Sequence, residues 1–363
     1  MANRITWYHT RLDRALLREL TAKSNVRPLV HILGQFALAA ATGVGAYLVY
    51  LHLPWPLLVP ALFAHGTVYT FFGASGSGHE LSHRTVFKSK WLNELFIVVT
   101  AFLSFFPYTH FRKSHAKHHQ LTVHEDEDLE VILPVTYKPI AWLWVLTINV
   151  PGMIRILGLY GRHALGIFRT EWEQRILPPS DTTGRAKVTW WARVTLAGHA
   201  ALAATFILTG NWILLFLVTL APFTANWLNF LCGLPQHLGL LPSVPDFRVC
   251  CRTMEIGWLP RFLYWNMNYH VEHHMYAGVP FYNLPRLREA IEHDVAPATK
   301  GLFRTWREEI LPLARLQRTH PNHVAVPRFP DTAVAPPIPE DAHERFVDVN
   351  GVLDSRAGAS VAG

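Results

Sequence analysis

Residues 29–51 read LVHILGQFALAAATGVGAYLVYL, and not one of them is Asp, Glu, Lys or Arg. A helix needs roughly 20 predominantly apolar residues to cross a bilayer, so this run sets the fold class before any other feature is weighed. Outward from it, the uncharged link His52-Leu53-Pro54 leads into a second apolar run over about residues 55–75. Two such runs joined by a short uncharged link predict a transmembrane hairpin whose tip carries nothing costly to translocate. Upstream, residues 1–28 carry Arg4, Arg11, Arg14, Arg18, Lys23 and Arg27. They lack the short apolar core and small-residue cleavage site of a signal peptide, and read as a cytosolic amphipathic lead-in.

Further apolar runs follow. Residues 91–108 lie between two histidine-rich stretches and read equally as a span or as a re-entrant or interfacial helix. Residues 140–160 are ambiguous in the same way, interrupted by Pro151-Gly152 and carrying Arg155. After a polar loop at 162–187, residues 190–208 and 212–231 predict a second hairpin across the uncharged link Thr209-Gly210-Asn211. Basic residues gather in the N-terminus, the central loop and the C-terminal third, which places all three, and both termini, on the cytosolic side. From Val324 the sequence is rich in Pro, Ala and Asp without periodicity and reads as a disordered tail over 324–363. The expected architecture is an all-α integral membrane protein. Two transmembrane helical hairpins carry one cytosolic helical cap, with residues 29–323 as a single catalytic domain.

Composition agrees. Half of the 363 residues are hydrophobic and 16% are charged, against about a quarter charged in soluble chains. The 13 Trp residues suit rings anchored at a membrane interface. The net charge of +7 comes without a stripe of basic and aromatic residues, which argues against nucleic acid. Anionic headgroups, an acidic protein donor or positive-inside topology account for it. Cys232, Cys250 and Cys251 form no disulfide framework and no zinc spacing.

The anomaly is histidine, 21 residues of it, in clusters. His79-Glu80-Leu81-Ser82-His83 spaces two imidazoles four apart, on one helical face. It also matches the H-E-x-x-H of zinc proteases literally. Two more clusters argue against that reading: His115-Ala116-Lys117-His118-His119 and His270-Val271-Glu272-His273-His274 share an H-x-x-H-H spacing. Together the three boxes supply eight histidines, twice what a tetrahedral zinc site uses. Two metals with several imidazoles each fit better. Glu80 and Glu272 are placed to hydrogen-bond such imidazoles. His110 lies off the face of the second box, His124 is equally a solvated turn residue, and His31, His52, His65, His163 and His199 read as packing or interfacial residues.

On these residues the chain resembles the membrane fatty acid desaturase superfamily, which also holds related hydroxylases, carotenoid oxygenases and decarboxylases. The matching positions are His79 and His83; His115, His118 and His119; and His270, His273 and His274. Thr122 and the acidic run Asp126-Glu127-Asp128 resemble the family's extension of its second box. Asn268-Tyr269, Val279-Pro280 and Leu284-Pro285 resemble the acyl-lipid branch. His237, just past the last apolar run, falls about where the family places one more ligand. One departure is Met275-Tyr276-Ala277 where acyl-lipid members often carry Leu-Phe-Pro; another is the lack of a heme-binding His-Pro-Gly-Gly.

The resemblance implies two iron ions, O2 as co-substrate and a lipid or fatty acyl substrate. It also implies an external ferredoxin-like or cytochrome-like electron donor with its reductase. Desaturation is the leading expectation. Hydroxylation, carotenoid ketolation and decarboxylation to a terminal alkene remain open on the same scaffold, and a membrane zinc metalloprotease is the remote alternative.

Overall fold

The computed structural model describes residues 5–124, 127–131, 139–320, 323–338 and 346–348. Among the described residues, three stretches are long and apolar enough to cross a membrane: Val26–His52, Trp55–Ser82 and Thr182–Leu208. Helix Val26–His52 stops where Pro54 forces Leu53 into an extended conformation. Its buried residues Pro28, Ile32, Gln35, Ala39 and Ala46 form one stripe, of which Ala39 and Ala46 pack with helix Leu58–Tyr69 and Ile32 with Leu81 and Trp265. Val30, Leu33, Val44 and Leu48 lie exposed on the rest of its circumference. In water so much exposed apolar surface would drive association; against lipid it is matched. Gln35, the polar residue of the stripe, accepts from Trp265 Nε1 at 2.9 Å and so ties the span to the cap.

Both hairpin links lie at one end of the molecule. Tyr50 and Trp212, which flank them, meet edge to face with centroids 5.2 Å apart. Gly210 makes its turn with φ +73°, where a side chain would be strained. The other end is tied to neighbouring helices: Asn25 bonds Ser89 Oγ, at the start of helix Lys90–Leu103, at 2.8 Å, and Asp181 pairs with Lys113 of helix Tyr108–Leu121 at 2.5 Å. A helix of the length of Thr182–Leu208 rises about 40 Å, and the chain must return over residues 209–236 to bring His237 back to the box end.

That return differs from expectation. Residues 212–231 do not form one continuous helix. A π turn at Leu215–Thr219 and a 3-10 turn at Ala221–Phe223 precede Ala225, whose φ is +51°, and only then does helix Trp227–Gly233 begin. Pro222 lacks the amide that would continue the helix. The broken backbone is satisfied laterally instead: Asn149 N donates to Phe223 O at 2.8 Å and Ala225 N to Thr147 O at 2.5 Å.

The two ambiguous runs are both broken. Lys90–Leu103 and Tyr108–Leu121 form a bent pair, turning by 109° at residues 104–107, so the run at 91–108 does not continue as one straight helix. Residues 140–160 divide into helices Pro139–Leu146 and Val150–Ala164. Pro151 opens the second of these, with the Asn149 side chain accepting from Gly152 N at its cap.

The segment from Val324, expected to be disordered, makes defined contacts between 324 and 334, although most of 331–337 is exposed. Val324 and Ala325 are buried, Ala325 N donates to Gly239 O at 2.7 Å, and Val324–Val326 pairs in parallel with Phe346–Asp348. Val334 N donates to Asp294 Oδ1 at 2.9 Å. Phe329 lies over Arg248, itself buried between Asp246 and Asp294. The remainder of the expected tail, 339–345 and 349–363, lies outside the described residues.

Candidate metal centre

The first box sits on the short helix Ser77–Ser82, entered through a turn that requires glycine. A Cβ on Gly76 would occupy the place of the Phe71 carbonyl oxygen. The second box rides on helix Tyr108–Leu121 and the third on helix His270–Met275. His237 follows the 3-10 turn Leu234–Gln236. These elements are distant in sequence and converge at the end of the molecule opposite the hairpin links.

All nine histidines singled out by the sequence are brought together, in two groups. His79, His83, His115 and His273 each offer a nitrogen within 4.8 Å of the others, and His237, His270 and His274 do the same with Cys251. The second box straddles both. His115 belongs to the first group, whereas the His118 ring lies 5.2 Å from His237 and 5.0 Å from His274. His119 stands between, 4.9 Å from His273 and 4.2 Å from His274 by ring centroid.

The rings are oriented from behind. His115 Nδ1 is 2.7 Å from Glu130 Oε1, His118 Nδ1 is 2.7 Å from Asp128 Oδ2, and His79 Nδ1 is 3.2 Å from Glu80 Oε1. His237 Nδ1 is 2.9 Å from the Cys250 carbonyl, and His274 Nδ1 is 3.2 Å from Thr122 Oγ1. With one nitrogen so engaged, each ring turns Nε2 inward, the outer-partner pattern that fixes tautomer and direction in metal sites. Inside, the nitrogens meet one another: His115 Nε2 and His119 Nε2 at 3.0 Å, His237 Nε2 and His270 Nε2 at 2.9 Å.

Others have no hydrogen-bond partner among the described residues: His83 Nε2, His119 Nδ1, His270 Nδ1, both nitrogens of His273 (Nδ1 lies 3.6 Å from Glu80 Oε1), and His274 Nε2. A buried polar atom left unsatisfied costs about 1–3 kcal/mol, so such a cluster demands an occupant. Burial, with the neighbouring imidazoles, holds His270, His273 and His274 well below their ordinary pKa. Burial with His118 nearby takes His237 down to about 3. Neutral imidazoles with inward lone pairs are a donor set for transition-metal cations. The residues present therefore fit a pair of metal ions.

The supporting residues were only partly foreseen. Asp128 belongs to the acidic run noted in the sequence, and Glu80 does face a box imidazole. Glu125 and Asp126 lie outside the described residues. Glu130 was missed, since nothing in its spacing singles it out. Glu272, expected beside an imidazole, instead binds Thr253 Oγ1 at 2.5 Å and Arg288 at 3.0 Å. His124 contacts the Thr122 carbonyl and the edge of Trp7. The Cys251 sulfur lies 3.8 Å from His237 Nδ1, the nitrogen already engaged by Cys250, and so sits behind that ring. Removing the charge of Asp128 with its shape retained, in Asp128→Asn, should weaken metal affinity about 10–100-fold. Chelator competition would measure this, and an unchanged affinity would deny Asp128 its orienting role.

A polyhistidine cluster able to hold metal thus lies at one end of a set of helices long and apolar enough to cross a membrane. The profile of the fatty acid desaturase family matches residues 53–306, most of the chain including all three boxes, and the chain belongs to that family. It is similar to an sn-1 oleoyl-lipid 12-desaturase of Picosynechococcus sp., 26% identical over 289 residues, which cover 71% of this chain and 75% of the relative. It is also similar to an sn-1 acyl-lipid omega-3 desaturase (ferredoxin) of Nostoc sp., 26% identical over 241 residues covering 59% of this chain and 62% of that one.

Proposed function

We propose that the protein is an O2-dependent diiron desaturase that introduces a C=C bond into a lipid-borne fatty acyl chain. The observation that carries this reading is the division of nine imidazoles into two groups with the second box between them. One iron would be held by His79, His83, His115 and His273, the other by His118, His237, His270 and His274, with His119 between. When bound, the iron pair supplies reduction of O2 coupled to removal of two hydrogens from adjacent carbons.

The protein's own contribution is to hold and to exclude. Asp128, Glu130 and Glu80 fix the imidazoles. Apolar side chains offer a path for hydrocarbon toward them. A cavity of about 200 Å³ lies between helices Val150–Ala164 and Thr182–Leu208, lined by Phe105, Met153, Leu157, Leu196 and Phe223. From Phe106, next to Phe105, the rings continue through Phe111 (4.8 Å) to His115 (4.7 Å). His199 and Thr219 are the polar residues of that lining; an acyl chain laid along this path would otherwise meet apolar side chains as far as the imidazoles. Electrons are assigned to a separate ferredoxin-like donor with its reductase, supported by the word in the Nostoc relative's name. The catalytic unit is taken as residues 29–323.

Expression in a heterologous host followed by lipid profiling tests the reading. Acyl chains two hydrogens lighter are expected, absent from the host alone. Gain of oxygen would instead mean a hydroxylase or ketolase, and loss of a carbon a decarboxylase. An unchanged lipid profile from iron-loaded protein with a competent donor would overturn it.

The membrane orientation follows from the charge distribution: termini and metal centre cytosolic, links on the far side. The three native cysteines are buried, which suits cysteine labelling. Leu53→Cys and Asn211→Cys should react from the non-cytosolic face, Arg84→Cys and Arg286→Cys only from the cytosolic face. Labelling of Arg84→Cys and Arg286→Cys from opposite faces would contradict a shared site, because these positions flank the first and third boxes.

A further inference from the structure

A third set of donors lies apart from the box histidines, where helix Tyr108–Leu121 meets helix Val150–Ala164 and the short helix Glu171–Ile176. His110, His163 and Glu173 each offer one ligand atom there, all within 4.8 Å of one another. Two independent features give the cluster a direction. Glu173 Oε2 is occupied, accepting from Arg169 N at 2.7 Å, Thr170 N at 2.9 Å and Arg162 at 3.3 Å. Its Oε1 is thereby turned toward the imidazoles, 2.8 Å from His163 Nε2. His110 Nε2 is buried and has no hydrogen-bond partner among the described residues, with the two rings 5.4 Å apart by centroid. A plain His163–Glu173 hydrogen bond would account for two of the three residues and leave the His110 nitrogen unexplained.

We propose that His110, His163 and Glu173 bind a divalent cation of the zinc class, with water in the fourth position. Two histidines and one glutamate form a donor set that zinc accepts, and bonds of about 2.0–2.1 Å in a tetrahedron place donors roughly 3.3 Å apart. Modest side-chain rotations achieve that from the spacing observed. Zinc at His163 Nε2 would take the place of the proton that bonds Glu173 Oε1, the neutral ring then carrying its proton on Nδ1. Among the described residues, Arg162 is the cation in contact with the cluster, and it touches the outer carboxylate oxygen and orients it.

The ion would fasten helix Glu171–Ile176 to the second box helix. Trp172 Nε1 of that short helix donates to Ser114 Oγ at 2.8 Å, and Ser114 in turn bonds Glu130, the carboxylate behind His115. The site is thus a structural strut behind the metal centre and does not depend on what reaction that centre performs.

The test is metal analysis of the full-length, detergent-purified, iron-loaded protein after equilibration with zinc sulfate and desalting. About one zinc per chain should remain, in addition to iron. His110→Ala and Glu173→Gln should each lose that zinc with iron content unchanged. His118→Ala should lose iron yet keep the zinc, which separates this proposal from the diiron reading. Zinc should also slow proteolysis of the loop at 162–187 in the wild type but not in His110→Ala. No zinc above background in the wild type, or zinc retained in both His110→Ala and Glu173→Gln, would overturn the proposal.

Discussion

Replacing His118 or His273 by alanine should abolish turnover and lower iron content from about two per chain to about one or fewer. The two positions sample different halves of the centre: His273 lies with His79, His83 and His115, His118 beside His237 and His274. Each removal deletes a donor and opens a space no other described side chain is placed to fill. The effect should exceed that of Asp128→Asn, which only loosens a ring still present. The comparison also separates ligation from packing. A histidine that served only to fill space would leave iron content intact when truncated, so full iron and full activity in either variant would remove the assignment. Since both residues are buried, a circular dichroism spectrum matching wild type should accompany the measurement.

Omitting the electron donor should be as severe. Supplied with NADH, O2 and lipid alone, the purified protein should form no product; adding a ferredoxin-like or cytochrome-like donor with its reductase should start the reaction. The net charge of +7 favours an acidic partner, and docking between exposed charges weakens as salt screens them. The rate at subsaturating donor should therefore fall as ionic strength rises, while the rate at saturating donor changes less. Turnover with NADH and O2 alone would show that the chain holds an electron-transfer site of its own.

How much of this was legible in the sequence follows from which features repeat. The box histidines were, because spacings of three and four residues put side chains on one helical face wherever the helix lies. The first hairpin was too, since an apolar run either reaches bilayer length or does not. His237 has no periodic partner and was found by resemblance; in space, a short 3-10 turn and the Cys250 carbonyl aim its ring. Asp128 and Glu130 lie beyond the end of their helix, where the path of the chain is set by contacts rather than by period. Nothing local says that a carboxylate will fold back on His115. The run at 212–231 is less regular than its composition suggests: a π turn, Pro222 and a lateral backbone partner interrupt the helix. At 323–338 the packing rests on isolated residues such as Val324, Ala325 and Phe329, too few to create a pattern. His110, His163 and Glu173 come together from three separate helices and look like lone residues in the sequence.

The most direct test of the central claim uses purified, iron-loaded protein with donor, reductase, O2 and a lipid whose acyl chain is fully deuterated. Product mass is then read by mass spectrometry. The account predicts loss of two deuterons from neighbouring carbons and no oxygen retained in the chain, with no product from His273→Ala. Incorporation of an oxygen atom from labelled O2 into the chain, or an unaltered chain despite full iron loading and a reduced donor, would contradict it.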